Sequence, residues 1–376
     1  MTLRIGMVAR TLNAPHLRGT GRYIQEVLRN SKAADGVHWT VFANNPALPL
    51  RVPADLAGET DVFGFRGDRF ELWEQIGLPL HARRAGVQLL HCGENTVPLW
   101  QPMPTVVTIH DTVLWEEPRP TRLDYHYLHH VQGLAYRRCS AVITISESSR
   151  RDIARRWPFL ADRLVVIPHG IADEFFQPAT APLPPALRAV LEDGQGRKPY
   201  LLYVGGPQPR KRFGWALDLL ASADDSALHL VACGFGAAAA QAAVVPSSLV
   251  GRVHFAPFVS DAELVALYQG ARVALYPTLY EGFGFPAVEA QAAGTPVLFS
   301  PVSSLADLVG PLTWAVPAQD PAAWQVALRD ALSLQPTARA ERVSAAQRWA
   351  RSFAWRKTAQ MHLDLYRRVL AGDRLN

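Results

Sequence analysis

A chain of 376 residues exceeds what one hydrophobic core ordinarily serves, so two domains are expected, and 49% hydrophobic residues suit two large cores. The formal net charge of +5 is modest for this length and comes with no nucleic-acid-binding motif, which excludes a nucleic-acid groove but admits anionic substrates or an anionic lipid surface. No apolar run reaches the ~18 residues of a membrane span, and Cys92, Cys139 and Cys233 lack ligand spacing, so reduced, buried thiols in a cytoplasmic protein are expected, with no metal centre.

Taken in chain order, the first half alternates strands with helices, the grammar of a parallel sheet covered on both faces. Residues 3–9 form a strand, followed by Gly19-Thr20-Gly21 and an amphipathic segment over 22–28. The glycine pair reads either as a cleft-lining loop at a strand's carboxyl end or as a tight helix entry. Phe70, Trp73, Ile76 and Leu80 recur every three to four residues and predict a helix over 70–84 with that face inward. Strands follow at 87–91 and 105–109, the second ending in His110-Asp111. Segment 119–138 mixes arginines with tyrosines and leucines, which fits either an amphipathic element on a membrane or a half-buried helix with a basic face. A strand-to-helix pattern at 141–149 and a strand over 163–170 that closes the sheet complete this half.

Pro178, Pro182, Pro184 and Pro185 mark a stiff connection, placing a first domain at 1–177, a linker at 178–197 and a second domain at 198–353. The second domain opens with a strand over 200–204 that runs into Gly205-Gly206 and then Arg210-Lys211-Arg212, cations suited to a diphosphate. A strand and glycine turn span 228–236. A further strand ends at Phe258 and Val259, and Ser260 with Glu263 forms a capping-box pattern. The most informative stretch is the strand 273–276 leading into Glu281-Gly282-Phe283-Gly284-Phe285-Pro286 and Glu289. Its glycines let backbone approach a ligand, and the following helix presents unpaired N–H groups with the positive end of its dipole. Pro286 suits the first helical position. Glu281 is expected near the loop's exposed edge and Glu289 in the first helical turn, and two carboxylates beside a phosphate-binding turn suit a ligand with both phosphate and vicinal hydroxyls, such as a nucleotide sugar. A helix at 321–332 and a long amphipathic tail over 353–370 close the chain.

Glu281 and Glu289, set eight apart in Glu-Gly-Phe-Gly-Phe-Pro with Ala-Gly-Thr-Pro-Val at 293–297, resemble the signature of retaining glycosyltransferases of family four, which have the GT-B fold. His110-Asp111, Arg210-Lys211 and the runs at 141–149 and 163–170 share the resemblance. It implies two Rossmann-like domains facing across a cleft, with the tail over about 354–376 packed back on the first. It also implies a donor site of Gly19, Thr20, Gly21, Gly206, Arg210, Lys211, Phe258, Val259, Glu281, Gly282, Phe283, Gly284, Phe285 and Glu289. His110 and Asp111 would lie on the acceptor side, and His110, Glu281, Arg210 and Lys211 would carry catalysis, with neither metal nor other cofactor. Partners implied are a nucleotide-sugar donor and a glycan or lipid-linked glycan acceptor of cell-surface polysaccharide synthesis. The Gly19 to Tyr23 and Trp73 to His91 stretches look closest to polysaccharide and O-antigen mannosyltransferases, which points to GDP-mannose. Peripheral contact with the inner membrane is a further expectation. The alternatives are a nicotinamide-dependent oxidoreductase, disfavoured because no third glycine completes Gly19-x-Gly21, and a non-catalytic sugar-nucleotide-binding protein.

Overall fold

A computed structural model describes residues 2–14, 19–31, 36–66, 68, 71–116, 121–193, 196–256 and 259–375, without the side chains of Glu116 and Asp193. The chain divides into two compact units, Met1–Gly170 with Trp355–Asn376, and Ile171–Ala354.

The first unit is built on strands β1 (Leu3–Val8), β2 (Val37–Ala43), β3 (Gly58–Val62), β4 (Leu89–Cys92), β5 (Thr105–Thr108), β6 (Ala141–Thr144) and β7 (Leu164–Val166). They form a parallel sheet in the order β3-β2-β1-β4-β5-β6-β7. The inner strands β4, β5 and β6 are buried at every residue, as strands covered on both faces should be. The C-terminal helix Trp355–Ala371 belongs to this unit and packs through Trp355, Ala359, Leu363 and Tyr366.

The second unit has a short antiparallel pair, β8 (Glu192–Asp193) with β9 (Gly196–Arg197), beside strands β10 (Tyr200–Val204), β11 (His229–Cys233), β12 (Val253–Phe255), β13 (Val273–Tyr276), β14 (Val297–Phe299) and β15 (Thr313–Ala315). Its parallel sheet runs β12-β11-β10-β13-β14-β15. Segment 178–197, expected to be a linker, instead contributes the helix Pro185–Leu191 with Leu187 and Leu191 buried. Pro184 caps that helix and Pro185 opens it, where a missing N–H is tolerated.

The face expected over 70–84 is also revised. Trp73 is buried, but Ile76 is 52% and Leu80 38% exposed, while Glu74, Gly77, Leu78 and Ala82 point inward. Residues Trp73–Gly77 form a π-turn, which inserts about one residue per turn and rotates everything after it by roughly 100°. Phe70 lies outside the described residues. Among the described residues the three cysteines are buried and form no disulfide, and no helix is long and apolar enough to cross a membrane.

Candidate functional site

In each parallel sheet the order in which successive strands are added reverses once, between β1 and β4 in the first unit and between β10 and β13 in the second. Loops leaving the carboxyl ends of strands on either side of such a reversal splay apart, and ligands of open α/β sheets bind in that crevice. In the second unit, β10 feeds the basic loop and β13 feeds the glutamate loop, so the reversal brings together two of the sequence-predicted stretches.

Glu281 is the hub. It is 8% exposed, and its Oε1 accepts from Arg210 Nη1 at 2.9 Å and Thr278 Oγ1 at 2.8 Å while pairing with Lys211 Nζ. Arg210 Nη1 also donates to the Tyr280 carbonyl at 2.8 Å, and Lys211 Nζ donates to the Tyr276 hydroxyl at 2.9 Å. Burial, then the Glu281 charge, holds the Tyr276 phenol well above its ordinary pKa, so it stays protonated. The arrangement departs from the expected one: Glu281 lies inside the crevice as the partner of both cations instead of at an exposed loop edge. Arg212 does not join them. It lies over the Trp215 ring at 3.7 Å and donates to the Ala318 carbonyl, leaving two cations rather than three for an anionic ligand.

Backbone geometry explains the glycines. Gly206 has φ +73°, and a Cβ there would stand 2.6 Å from the Gly234 carbonyl oxygen. Gly284, at φ +103°, starts the helix Phe285–Ala292, and a Cβ would meet a Leu305 methyl at 2.4 Å. Both positions combine a left-handed backbone with close approach, which only glycine meets without strain. Phe283 is buried and meets Phe285 edge-on at 5.2 Å. Pro286 stands second in the helix, and Glu289 lies in the second turn instead of the first. Glu289 is 3% exposed and accepts from the Tyr268 hydroxyl at 3.2 Å. Two residues not singled out from sequence clamp the loop: Ser303 Oγ bonds the Glu281 backbone at both N and O, and Ser304 Oγ donates to the Glu281 and Phe283 carbonyls at 2.8 and 2.7 Å. Ser303 holds φ +47°, an unusual conformation for a residue with a side chain. Val259 precedes the capping box that Ser260 and Glu263 form on the helix Asp261–Gly270. Phe258 lies outside the described residues.

In the first unit, His110 follows β5 and is buried. Its Nε2 lies 3.0 Å from the Gly93 carbonyl, an atom that only accepts, so Nε2 carries the proton and Nδ1 keeps a lone pair. Burial lowers its pKa, which keeps the ring neutral at pH 7. Tyr23 packs edge-on against His110 at 5.1 Å. Behind them a buried chain runs from Tyr366 through His91, Thr108 and Tyr23 to His362, with links of 2.6 to 2.8 Å. Asp111 Oδ1 accepts from the Val113 amide at 3.0 Å and so holds the start of a helical turn. Gly19, Thr20 and Gly21 form the first turn of the helix Gly19–Asn30, the helix-entry alternative, and not an open loop.

Sequence reasoning missed a second ionic cluster at the β1/β4 reversal. Arg10, just past β1, donates Nε to Glu94 at 2.7 Å and Nη2 to Thr96 at 3.1 Å, and its Nη1 lies 3.6 Å from Glu74. Burial disfavours the guanidinium charge, but Glu94 and Glu74 outweigh it and keep the charge fixed. Glu94 also accepts from the Thr11 amide and hydroxyl, and Glu74 from Thr96, Gln132 and Tyr127. The available signal was a charged residue just past a buried strand, on two strands whose adjacency the sequence does not state. Among the described residues no group of three or more histidine, cysteine or acidic side chains has the geometry of a metal site.

Comparison with known proteins places both halves. Residues 17–175 match the family model described as Glycosyltransferase Family 4, and residues 192–349 match that described as Glycosyl transferases group 1. The chain is 31% identical to the O-antigen chain mannosyltransferase B of Escherichia coli over 45% of this chain and 45% of that protein. The match spans about half the length of such curated relatives. Sucrose-phosphate synthase from Thermosynechococcus elongatus superposes with a TM-score of 0.75 at 21% identity, covering 99% of this chain and 100% of that one. The Anabaena HepE structure in complex with UDP and glucose gives 0.71 at 16% identity, covering 97% and 99%. These structural likenesses show the fold.

Proposed function

We propose, from the premise that the chain belongs to the family-four glycosyltransferases of GT-B fold, that it moves a hexose from a nucleoside-diphosphate sugar to a glycan or lipid-linked glycan acceptor, retaining the anomeric configuration. The observation that carries this reading is the convergence of Arg210 and Lys211 on Glu281 at the β10/β13 reversal. Two cations against one carboxylate leave a surplus positive charge beside a glycine turn that opens a helix. That combination suits a diphosphate leaving group whose charge grows at the transition state.

In this reading Arg210, Lys211 and the amides of Gly282 to Phe285 hold the diphosphate without a metal ion. Glu281 meets the transferred ring, and Glu289, steadied by Tyr268, takes the ribose hydroxyls. The leaving phosphate receives the acceptor's proton on the face it departs from. His110, locked as the Nε2–H tautomer, offers Nδ1 to accept from a substrate hydroxyl, while Gly19, Thr20, Gly21 and Val259 contribute to the donor's surroundings. Mannose from GDP-mannose is the favoured donor, supported by the likeness to a mannosyltransferase. Exposed Leu123, Tyr125 and Leu134 beside Arg122, Arg137 and Arg138 support peripheral contact with an anionic membrane, with the protein on the cytoplasmic side.

The test is a panel of GDP-, UDP- and ADP-sugars with release of nucleoside diphosphate as readout, the anomeric configuration of the product read by proton NMR, and a parallel assay in EDTA. Release from GDP-mannose, retention, and activity undiminished by chelation are the expected results. No release from any donor sinks the transferase reading. Inversion, or loss on chelation restored by manganese, sinks the mechanism.

A further inference from the structure

Two buried phenols of the second unit hold Lys211 from opposite ends. Tyr203, on β10, is fully buried, and its hydroxyl donates to the Lys211 carbonyl at 3.2 Å and to that of Gly206 at 2.9 Å. Tyr276, the last residue of β13, is 2% exposed; its hydroxyl accepts from the Lys211 ammonium at 2.9 Å, and that nitrogen lies 4.8 Å from the centre of its ring. The strands are neighbours, Tyr203 pairing with Leu275. Lys211 is thus fixed by side chains of the sheet, which hold a group more firmly than a loop does.

The Tyr276 hydroxyl has one proton to give. It goes to the Glu281 carboxylate, which only accepts, while the oxygen's lone pair takes an N–H of Lys211. One hydroxyl therefore touches both members of an ion pair whose carboxylate also accepts from Arg210 at 2.9 Å and Thr278 at 2.8 Å. A diphosphate that draws both cations leaves Glu281, 8% exposed, with the hydroxyls of Thr278 and Tyr276. A hydrogen bond to a buried charge counts for more where fewer remain, so the Tyr276 hydroxyl contributes more to the ligand-bound arrangement than to the paired one.

From this geometry we infer that Tyr276 is a positioning residue for the donor site, the pivot on which Lys211 and Glu281 exchange each other for ligand. It keeps one ammonium N–H anchored as the side chain turns to the diphosphate, and it holds Glu281 as the charge partners leave. The inference rests on the reading of Arg210 and Lys211 as the groups that bind the diphosphate. A residue that merely fills the core would tolerate phenylalanine.

Calorimetric titration of GDP and of UDP into the full chain tests this, with Tyr276→Phe, Lys211→Ala, the double variant and Tyr200→Phe beside the wild type. Tyr200 is the matched control: it is equally buried, its hydroxyl donates to the Leu267 carbonyl at 2.8 Å, and it opens β10 at the end away from the basic loop. Tyr276→Phe should weaken the better nucleotide by roughly five- to twentyfold, and Tyr200→Phe by less than about twofold, with similar losses of thermal midpoint in the two. In the Lys211→Ala background the Tyr276 change should cost at least about threefold less than it does alone. With a sugar nucleotide, Tyr276→Phe should lower kcat more than it raises donor KM, because the leaving group's charge grows at the transition state. Wild-type nucleotide affinity in Tyr276→Phe overturns the inference, as do additive losses in the double variant, an equal loss in Tyr200→Phe, or absence of binding by both nucleotides. Turnover that needs Lys211 but not Tyr276 keeps the transferase reading and removes the pivot. Coupled nucleotide binding without turnover of any donor does the reverse.

Discussion

The two sheet reversals use the same parts in opposite proportion. At β1/β4 one buried cation, Arg10, is held between two carboxylates, Glu74 and Glu94. At β10/β13 one carboxylate, Glu281, is held between two cations, Arg210 and Lys211. Topology delivers a charged loop to each crevice, but the surplus sign is set by side chains, and it decides what each crevice can receive. Within the paired side chains the surplus is negative at the first and positive at the second. Exposure differs in one member: the Arg10 and Lys211 side chains are alike at 13% and 12%, whereas that of Arg210 is 35% exposed. The first cluster is therefore bound up with folding, and the second is free to exchange a protein partner for a ligand.

The largest expected effect is the one that removes the lone cation. Arg10→Met leaves Glu74 and Glu94 buried without their counter-charge, and breaking a buried pair in this way costs about 3–5 kcal/mol. A fall of roughly 6–20 °C in thermal midpoint is expected at neutral pH. Lys211→Met should cost much less stability, because Arg210, Thr278 and Tyr276 still surround Glu281. Equal losses in the two variants would erase the distinction between a structural and a functional cluster.

The next effect concerns pH and is strongest in the first unit, although His229 and His254 of the second unit shift the same way. Burial pushes His362 down to about 4, and His91, His169 and His110 shift the same way. The unfolded chain binds these protons near the ordinary histidine value of 6.5, so between the two values the unfolded state holds more protons and stability rises with pH. The contribution is full above pH 6.5 and is lost as pH falls towards 4, about 3 kcal/mol from His362 alone. Thermal melts from pH 7.5 to 4.5 should show this decline, and His362→Asn should make it shallower by its own share, the other buried histidines keeping theirs. A profile that is flat in the wild type breaks the account of the buried chain linking His91, Thr108, Tyr23 and His362.

How much of this was readable beforehand follows from the same comparison. The strands are buried apolar runs with turn residues at their ends, so the α/β class and the glutamate and basic loops stand in the sequence. The glycines at 206 and 284 also announce themselves, since their backbone angles exclude other residues. Strand order is not local information, so neither the meeting of Arg210 with Glu281 nor that of Arg10 with Glu94 was visible. The π-turn at Trp73–Gly77 defeated periodicity because it changes the period itself. Arg212 illustrates a third limit: a run of cations does not say which one turns aside to stack on Trp215.

A third expectation tests the cationic surplus on activity. Lys211→Ala deletes a charge-assisted contact of about 1.5–3 kcal/mol, so donor kcat/KM should fall by roughly 10–150-fold, with Arg210→Ala similar. Glu281→Gln moves the other way for the product: with their protein partner neutralised, both cations should bind free nucleoside diphosphate more tightly while kcat falls. Steady-state kinetics beside calorimetric titration of GDP separates the two. Unchanged diphosphate affinity in Lys211→Ala would remove the basic loop from the site.

The smallest effect lies one residue behind the ligand, at Tyr268. Its hydroxyl donates to Glu289 at 3.2 Å, and both groups are buried. If Glu289 accepts from ribose hydroxyls that change little during reaction, losing its charge in Glu289→Gln removes binding felt equally in ground and transition states. Donor KM then rises while kcat holds. Tyr268→Phe keeps the ring, the packing and the carboxylate, and deletes one donor to it, a change of about 0.5–1.5 kcal/mol. The expected signature is the same split at lower amplitude, roughly two- to tenfold in KM, with thermal stability nearly preserved. The pair of variants also couples: once Glu289 is glutamine, removing the Tyr268 hydroxyl should add less than it does alone, because the two act on one contact. Additive effects, or a fall in kcat with KM unmoved, would show that Tyr268 and Glu289 serve the helix Phe285–Ala292 and not the donor.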